Sequence, residues 1–223
     1  MQFIAASTPS LAAFLAVEAA VLAMFALGVR RADRAAAPRV IALTVAWLAV
    51  LGIVVATGVV AKEPMPRLPI LLAFTLGCGA AFACSRTGGR LAQLPLPALV
   101  LFQAFRLPLE LVLHAWAEGG TVPPTMTWTG QNFDIVSGAV ALIAAPFAGR
   151  NRTAAWFVNI VGSLLLCNVL RVVVLSSPLP FAWQVEPPLQ LAFHLPYASI
   201  LPVCVTGALV GHIVLWRALL RRS

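Results

Sequence analysis

The chain has 223 residues, 61% of them hydrophobic and only 10% charged, with a mean hydropathy of +0.96. Soluble domains carry about a quarter charged residues, so this composition excludes one and points to a multi-pass membrane protein. The net charge of +8 is what cytoplasmic loops rich in Lys and Arg produce, and it calls for no nucleic acid as partner.

Stretches long enough to cross roughly 30 Å of hydrocarbon run approximately over 10–29, 39–61, 67–85, 93–117, 133–149, 153–176 and 195–219. The expected fold is an all-α integral membrane bundle of about seven transmembrane helices, one transmembrane domain over 1–223. The first span lacks a preceding basic region and is followed by Arg30, Arg31 and Arg34, which reads as an uncleaved helix rather than a signal peptide. Cys78, Cys84, Cys167 and Cys204 lie within apolar stretches without Cys-x-x-Cys spacing and read as small buried hydrophobes.

The loops set the orientation. Arg30, Arg31, Arg34 and Arg39 follow the first span, Arg86 and Arg90 the third, Arg150 and Arg152 the fifth, and Arg217, Arg221 and Arg222 close the chain. The alternate loops carry only Lys62 and Arg67. By the positive-inside rule the N-terminus is outside and the C-terminus cytoplasmic, in a bacterial inner membrane. Trp116 and Trp183 then fall at the outer interface, and Trp156 and Trp216 near the inner one. Two outer loops, about 118–131 and 177–193, are dense in Pro and Gly and read as ordered turns, a lid or short connectors.

The fourth span carries Gln103, Arg106, Glu110 and His114 close to one helical stripe. Intramembrane charge is costly and marks function by default; the alternative is an Arg106–Glu110 pair that only locks helices together. Pro108 cannot donate to the Ala104 carbonyl and should kink this helix. The fifth span opens with Asn132 and Asp134, the latter expected first as a helix cap. Its Gly138, Ala141 and Ala145 read as packing residues. In the sixth span Asn159 falls near the inside, whereas Asn168 and Arg171 lie in the outer half about 60° apart. His194 and His212 mark opposite ends of the seventh. The polar residues thus gather in the outer half, with Glu18 of the first span as an outlying member.

Three chemistries fit that set. Glu110, His114, Asp134 and His194 are metal-ligand types but lack a metal-binding motif, so no metal and no cofactor is expected. Arg106 and Arg171 suit an anion or carboxylate. Glu110 and His114, backed by Asp134, suit proton handling. The expected binding set is Arg106, Glu110, His114, Asp134, Asn168 and Arg171. Its partners would be membrane lipids and a small polar or anionic substrate, with proton-coupled transport as the use.

Val136-Ser137-Gly138, then Asn168-Val-Leu-Arg171, then His194 resemble the exosortase and archaeosortase family of membrane-embedded transpeptidases. The resemblance implies an outer-face enzyme acting on a peptide or lipid, with Asp134, Arg171 and His194 as catalytic candidates. Val136 stands where that family carries its nucleophilic cysteine, so thioester chemistry is not implied. Phe105–His114 together with Met126–Asp134 also resembles a group of uncharacterised bacterial multi-pass membrane proteins. A third reading is an accessory subunit, alone or as a homo-oligomer, in a membrane complex.

Overall fold

A computed structural model describes residues 3–61 and 67–221; Lys62 and Arg222 lie outside the described residues. The described chain is helical, with no strand. Its α-helices are α1 (Thr8–Ala32), α2 (Ala37–Ala56), α3 (Leu68–Cys84), α4 (Arg86–Leu91), α5 (Leu96–Phe102), α6 (Arg106–Glu118), α7 (Asp134–Ala144), α8 (Arg152–Ser176) and α9 (Thr206–Arg221). Five helical stretches, Thr8–Ala32, Ala37–Ala56, Leu96–Glu118, Arg152–Ser176 and Tyr197–Arg221, are long and apolar enough to cross a membrane. Leu68–Cys84 and Asp134–Phe147 are apolar but shorter.

Local sequence explains the punctuation. Ser7 accepts from the Ser10 amide and Asn151 from the Ala154 amide, capping α1 and α8. Ser85 ends α3 and caps α4 by accepting from the Gly88 amide. Between α5 and α6 the chain takes one 3-10 turn over Gln103–Phe105, just upstream of Pro108, whose missing N–H relaxes the regular ladder there. The last helix begins with a π-helical turn, Leu201–Val205, containing Pro202.

Many outward side chains are large and apolar, including Leu43, Val45, Val50 and Ile53 on α2, as helices facing lipid require. Trp116 departs from the expected interfacial belt. It is 1% exposed, packs on Phe14 and Tyr197, and donates from Nε1 to Ser10 Oγ at 3.1 Å. Its place on the inward stripe of α6, three and seven residues before which stand buried Leu113 and Leu109, turns it into the bundle. Trp156 and Trp216 contact each other at 5.2 Å between ring centroids.

The two larger of three apolar clusters among the described residues are stacked along the bundle. On α8 one holds Ala155 and Val158 and the other begins at Leu166; on α9 the division falls between Ala208 and Val210. The interval between them is occupied by polar side chains.

Candidate functional site

Arg106 is 1% exposed and holds the centre of that polar layer. Its Nε donates to Asp134 Oδ2 at 2.6 Å, and its Nη1 to the Gly162 carbonyl at 3.2 Å and to His212 Nε2 at 2.9 Å. One guanidinium therefore ties α6 to α7, α8 and α9. Arginine suits the position because its fork carries several donors in fixed directions.

These contacts decide the His212 tautomer. A guanidinium never accepts, so Nε2 must, and the neutral ring carries its hydrogen on Nδ1. Nδ1 donates to Asn159 Oδ1 at 2.8 Å. The opposite orientation of the Asn159 amide would let its oxygen accept from Trp216. It would also leave both imidazole nitrogens facing donors with no hydrogen between them, so the guanidinium excludes it.

Close approach of the helices around this centre requires glycine, as at Gly162 and Gly138. A Cβ on Gly162 would stand 2.5 Å from His212 Cε1, and one on Gly138 only 2.2 Å from the Leu107 backbone nitrogen. Gly138 and the fully buried Ala141 thus serve packing, as small residues in membrane helices commonly do.

Asn132 joins the loop over 119–133 to this centre. Its Nδ2 donates to Glu110 Oε1 at 2.8 Å and to the Met126 carbonyl at 3.1 Å, while its Oδ1 accepts from the Asp134 amide at 3.1 Å. Asp134 does not take the expected cap position: the N-cap residue is Phe133, which makes no side-chain cap hydrogen bond, and the Asp134 amide is held by Asn132 two residues earlier in an Asx-type turn. The Asp134 carboxylate is freed to pair with Arg106 across helices. The locking pair within α6 is likewise replaced: Glu110 binds Asn132, not Arg106.

Arg106, Glu110, Asn132 and Asp134 line one end of a narrow cavity of about 50 Å³ whose remaining walls are almost wholly apolar, among them Met126, Leu166 and Leu191. That volume admits a few waters or one small polar group. Arg106 Nη2, Glu110 Oε2 and Asp134 Oδ1 are buried and have no hydrogen-bond partner among the described residues. Buried polar atoms are rarely left so. The loop over 119–133 is packed rather than open, with Val122 and Thr127 fully buried and a 3-10 turn at Pro124–Met126. Comparison with protein-family models, with curated proteins and with solved structures finds no match.

The remaining candidates stand apart from Arg106. His114 is 3.7 Å from Glu118 and stacks on Trp128 at 4.2 Å. Arg171 donates to Asn168 Oδ1 at 2.9 Å, Asn168 donates to the Gln131 carbonyl at 2.7 Å, and Trp183 lies under the guanidinium at 5.6 Å. Arg171 is exposed and follows Gly162 by nine residues on α8, which is about half a turn around the helix and roughly 14 Å along it. His194 stacks on Phe3 at 4.0 Å, and its modest burial lowers its pKa from the ordinary histidine value. Among the described residues no hydrogen bond joins any two of Asp134, Arg171 and His194, and no three His, Cys, Asp or Glu side chains group as a metal site would need.

The partners that sequence reading passed over are Asn159 and His212. In the sequence His212 marks the far end of the seventh span, opposite His194. The chain over 191–199 makes 3-10 turns and the apolar stretch covers Tyr197–Arg221, and the contact of His212 Nε2 with Arg106 Nη1 sets the two residues at one level of the bundle. Gly162 and Gly211, small residues beside polar ones, were the available signal.

Proposed function

We propose that this protein is an inner-membrane protein whose polar layer binds a small polar ligand and exchanges a proton at Glu110. The observation that carries this reading is the convergence of one unpartnered donor, on Arg106, with two unpartnered acceptors, on Glu110 and Asp134, at a single cavity. A ligand offering both acceptor and donor atoms would complete all three. The centre holds one guanidinium against two carboxyls, so its charges balance when one further positive charge, a proton, joins it. A wholly anionic ligand would worsen that balance, which favours a neutral or zwitterionic polar group over an anion. Arg106 orients the ligand, Asn132 holds Glu110, and His212 with Asn159 fixes the guanidinium.

Seven spans with the N-terminus outside complete the proposal. The two shorter apolar helices would cross with the other five, and the cavity would then open toward the outer face beneath the two Pro-rich loops. The exosortase-like enzyme, the second reading, would use Arg171 with Asn168 and His194; Val136, at the place of that family's cysteine, is 44% exposed and apolar.

The test uses proteoliposomes holding a pH-sensitive dye, given a pH step with amino acids, polyols or short carboxylic acids outside. One solute class should drive proton movement in the wild type and not in Glu110→Gln. Equal flux in folded Glu110→Gln and Arg106→Lys proteins would sink the proposal.

A further inference from the structure

Glu18 takes no part in the Arg106 centre. It sits ten residues into α1, roughly 15 Å from the start of the helix, and is 7% exposed. Ser199 Oγ donates to its Oε2 at 2.8 Å. Its Oε1 is buried with no hydrogen-bond partner among the described residues, and no cation forms a salt bridge with it there.

This carboxyl lines a second cavity of about 300 Å³, walled by α1, α2, α3 and the segment from Leu195 to Val203. That is the lower end of the roughly 300–1,000 Å³ of small-molecule sites. Leu201, in the π-helical turn, lines both this cavity and the central one, so the two sites are back to back across a single turn of chain. The α2 wall is thin: only Ala37, Leu51 and Val55 of that helix are buried. At Gly52, which also lines the cavity, a Cβ would meet nothing within 4 Å. The groove therefore has room beside α2, the helix most exposed to surrounding hydrocarbon.

We propose that Glu18, Ser199 and this groove form a second binding site, which takes a hydrophobic amine from the lipid phase. The walls bury the apolar body. The ammonium group supplies the positive charge that the buried carboxyl lacks, and it donates to the unpartnered Oε1. A buried carboxylate without a cation is expensive, whereas a paired and hydrogen-bonded one is not. An anionic amphiphile would meet Glu18 as a like charge, and a neutral alcohol would leave the charge unmatched.

Full-length protein in lipid nanodiscs tests the site. Dicyclohexylcarbodiimide modifies carboxyls in apolar surroundings, and peptide mass spectrometry reports Glu18 and Glu110 separately. Glu18 should be modified, and N,N-dimethyldodecylamine at about ten times its Kd should slow that modification about tenfold, because the free fraction falls as 1/(1 + [L]/Kd). Dodecanol and dodecanoate should slow it less than twofold. Gly52→Phe places a bulky side chain on the wall of the groove and should abolish the amine's protection; Ser199→Ala should weaken it. Absence of modification at Glu18, modification indifferent to the amine, or equal protection by dodecanol each overturns the site. Protection of Glu110 alone would assign the amine to the central cavity and overturn it as well.

Discussion

Arg106 concentrates the energetics of the site because four helices lean on one side chain. Arg106→Ala removes the only cation hydrogen-bonded to the buried Asp134 carboxylate among the described residues, and breaking a buried pair from one side costs about 3–5 kcal/mol. A large fall in Tm, or failure to fold, is expected from thermal unfolding in detergent. Glu110→Gln should behave differently. The amide oxygen can still accept from Asn132, so the stability change stays under about 1.5 kcal/mol while the proposed proton exchange is lost. A Tm loss as large as that of Arg106→Ala would make Glu110 a structural residue. Gly162→Ala drives a methyl into the His212 ring, which Asn159 and Arg106 hold in place; a cost of about 1–3 kcal/mol is expected for such overpacking, read from the same unfolding curves. His194 gives a pH signature. Its folded pKa is lowered by burial, so both states are neutral above the ordinary value of about 6.5. As pH falls through that value the unfolded chain takes up the proton first, and stability is lost. Tm should therefore drop from pH 7 toward pH 5 more in the wild type than in His194→Gln; an equal drop would remove His194 as its source.

At the scale of elements, one side chain of the loop over 119–133 makes hydrogen bonds that join it to α6 and α7. Asn132 reaches Glu110 on α6, the Met126 carbonyl within the loop, and the first amide of α7. Asn132→Ala should release all three, so hydrogen exchange at Met126, Asn132 and Asp134 should quicken while α8 and α9 keep their protection. Uniform quickening through the bundle would show instead that Asn132 supports global stability. The breaks in helix regularity have a common location. The 3-10 turn over Gln103–Phe105 and the π turn over Leu201–Val205 both adjoin the polar layer or the cavities, where irregular backbone is tolerated in membrane proteins because protein rather than lipid surrounds it.

For the whole molecule, two stacked apolar cores with one polar layer between them make a bundle whose stability and site share the same residues. The orientation proposed from its Arg-rich loops predicts that a fluorescent protein fused after Arg221 folds in the cytoplasm, whereas alkaline phosphatase fused there stays inactive. The reverse pattern would invert the proposed topology. Inversion would also move the central cavity to the cytoplasmic side, leaving its internal geometry untouched.

Sequence by itself determined the helical membrane class, the approximate helix positions, and the inward stripe of Gln103, Arg106 and Glu110. Hydrophobic runs and helical periodicity are local, and cost in hydrocarbon forces buried charge to face protein. It also brought Asn132 and Asp134 near that stripe, since a short loop joins them to it. Only the tertiary structure decided the pairings. Asp134 rather than Glu110 took Arg106, His212 moved level with it, and Arg171, His114 and His194 went to separate surroundings. Glu18 turned to a cavity of its own. Such choices depend on how helices rotate, tilt and start relative to one another; one 3-10 turn or one glycine contact shifts a side chain by several ångströms, and nothing in a single helix's sequence records its neighbour's register.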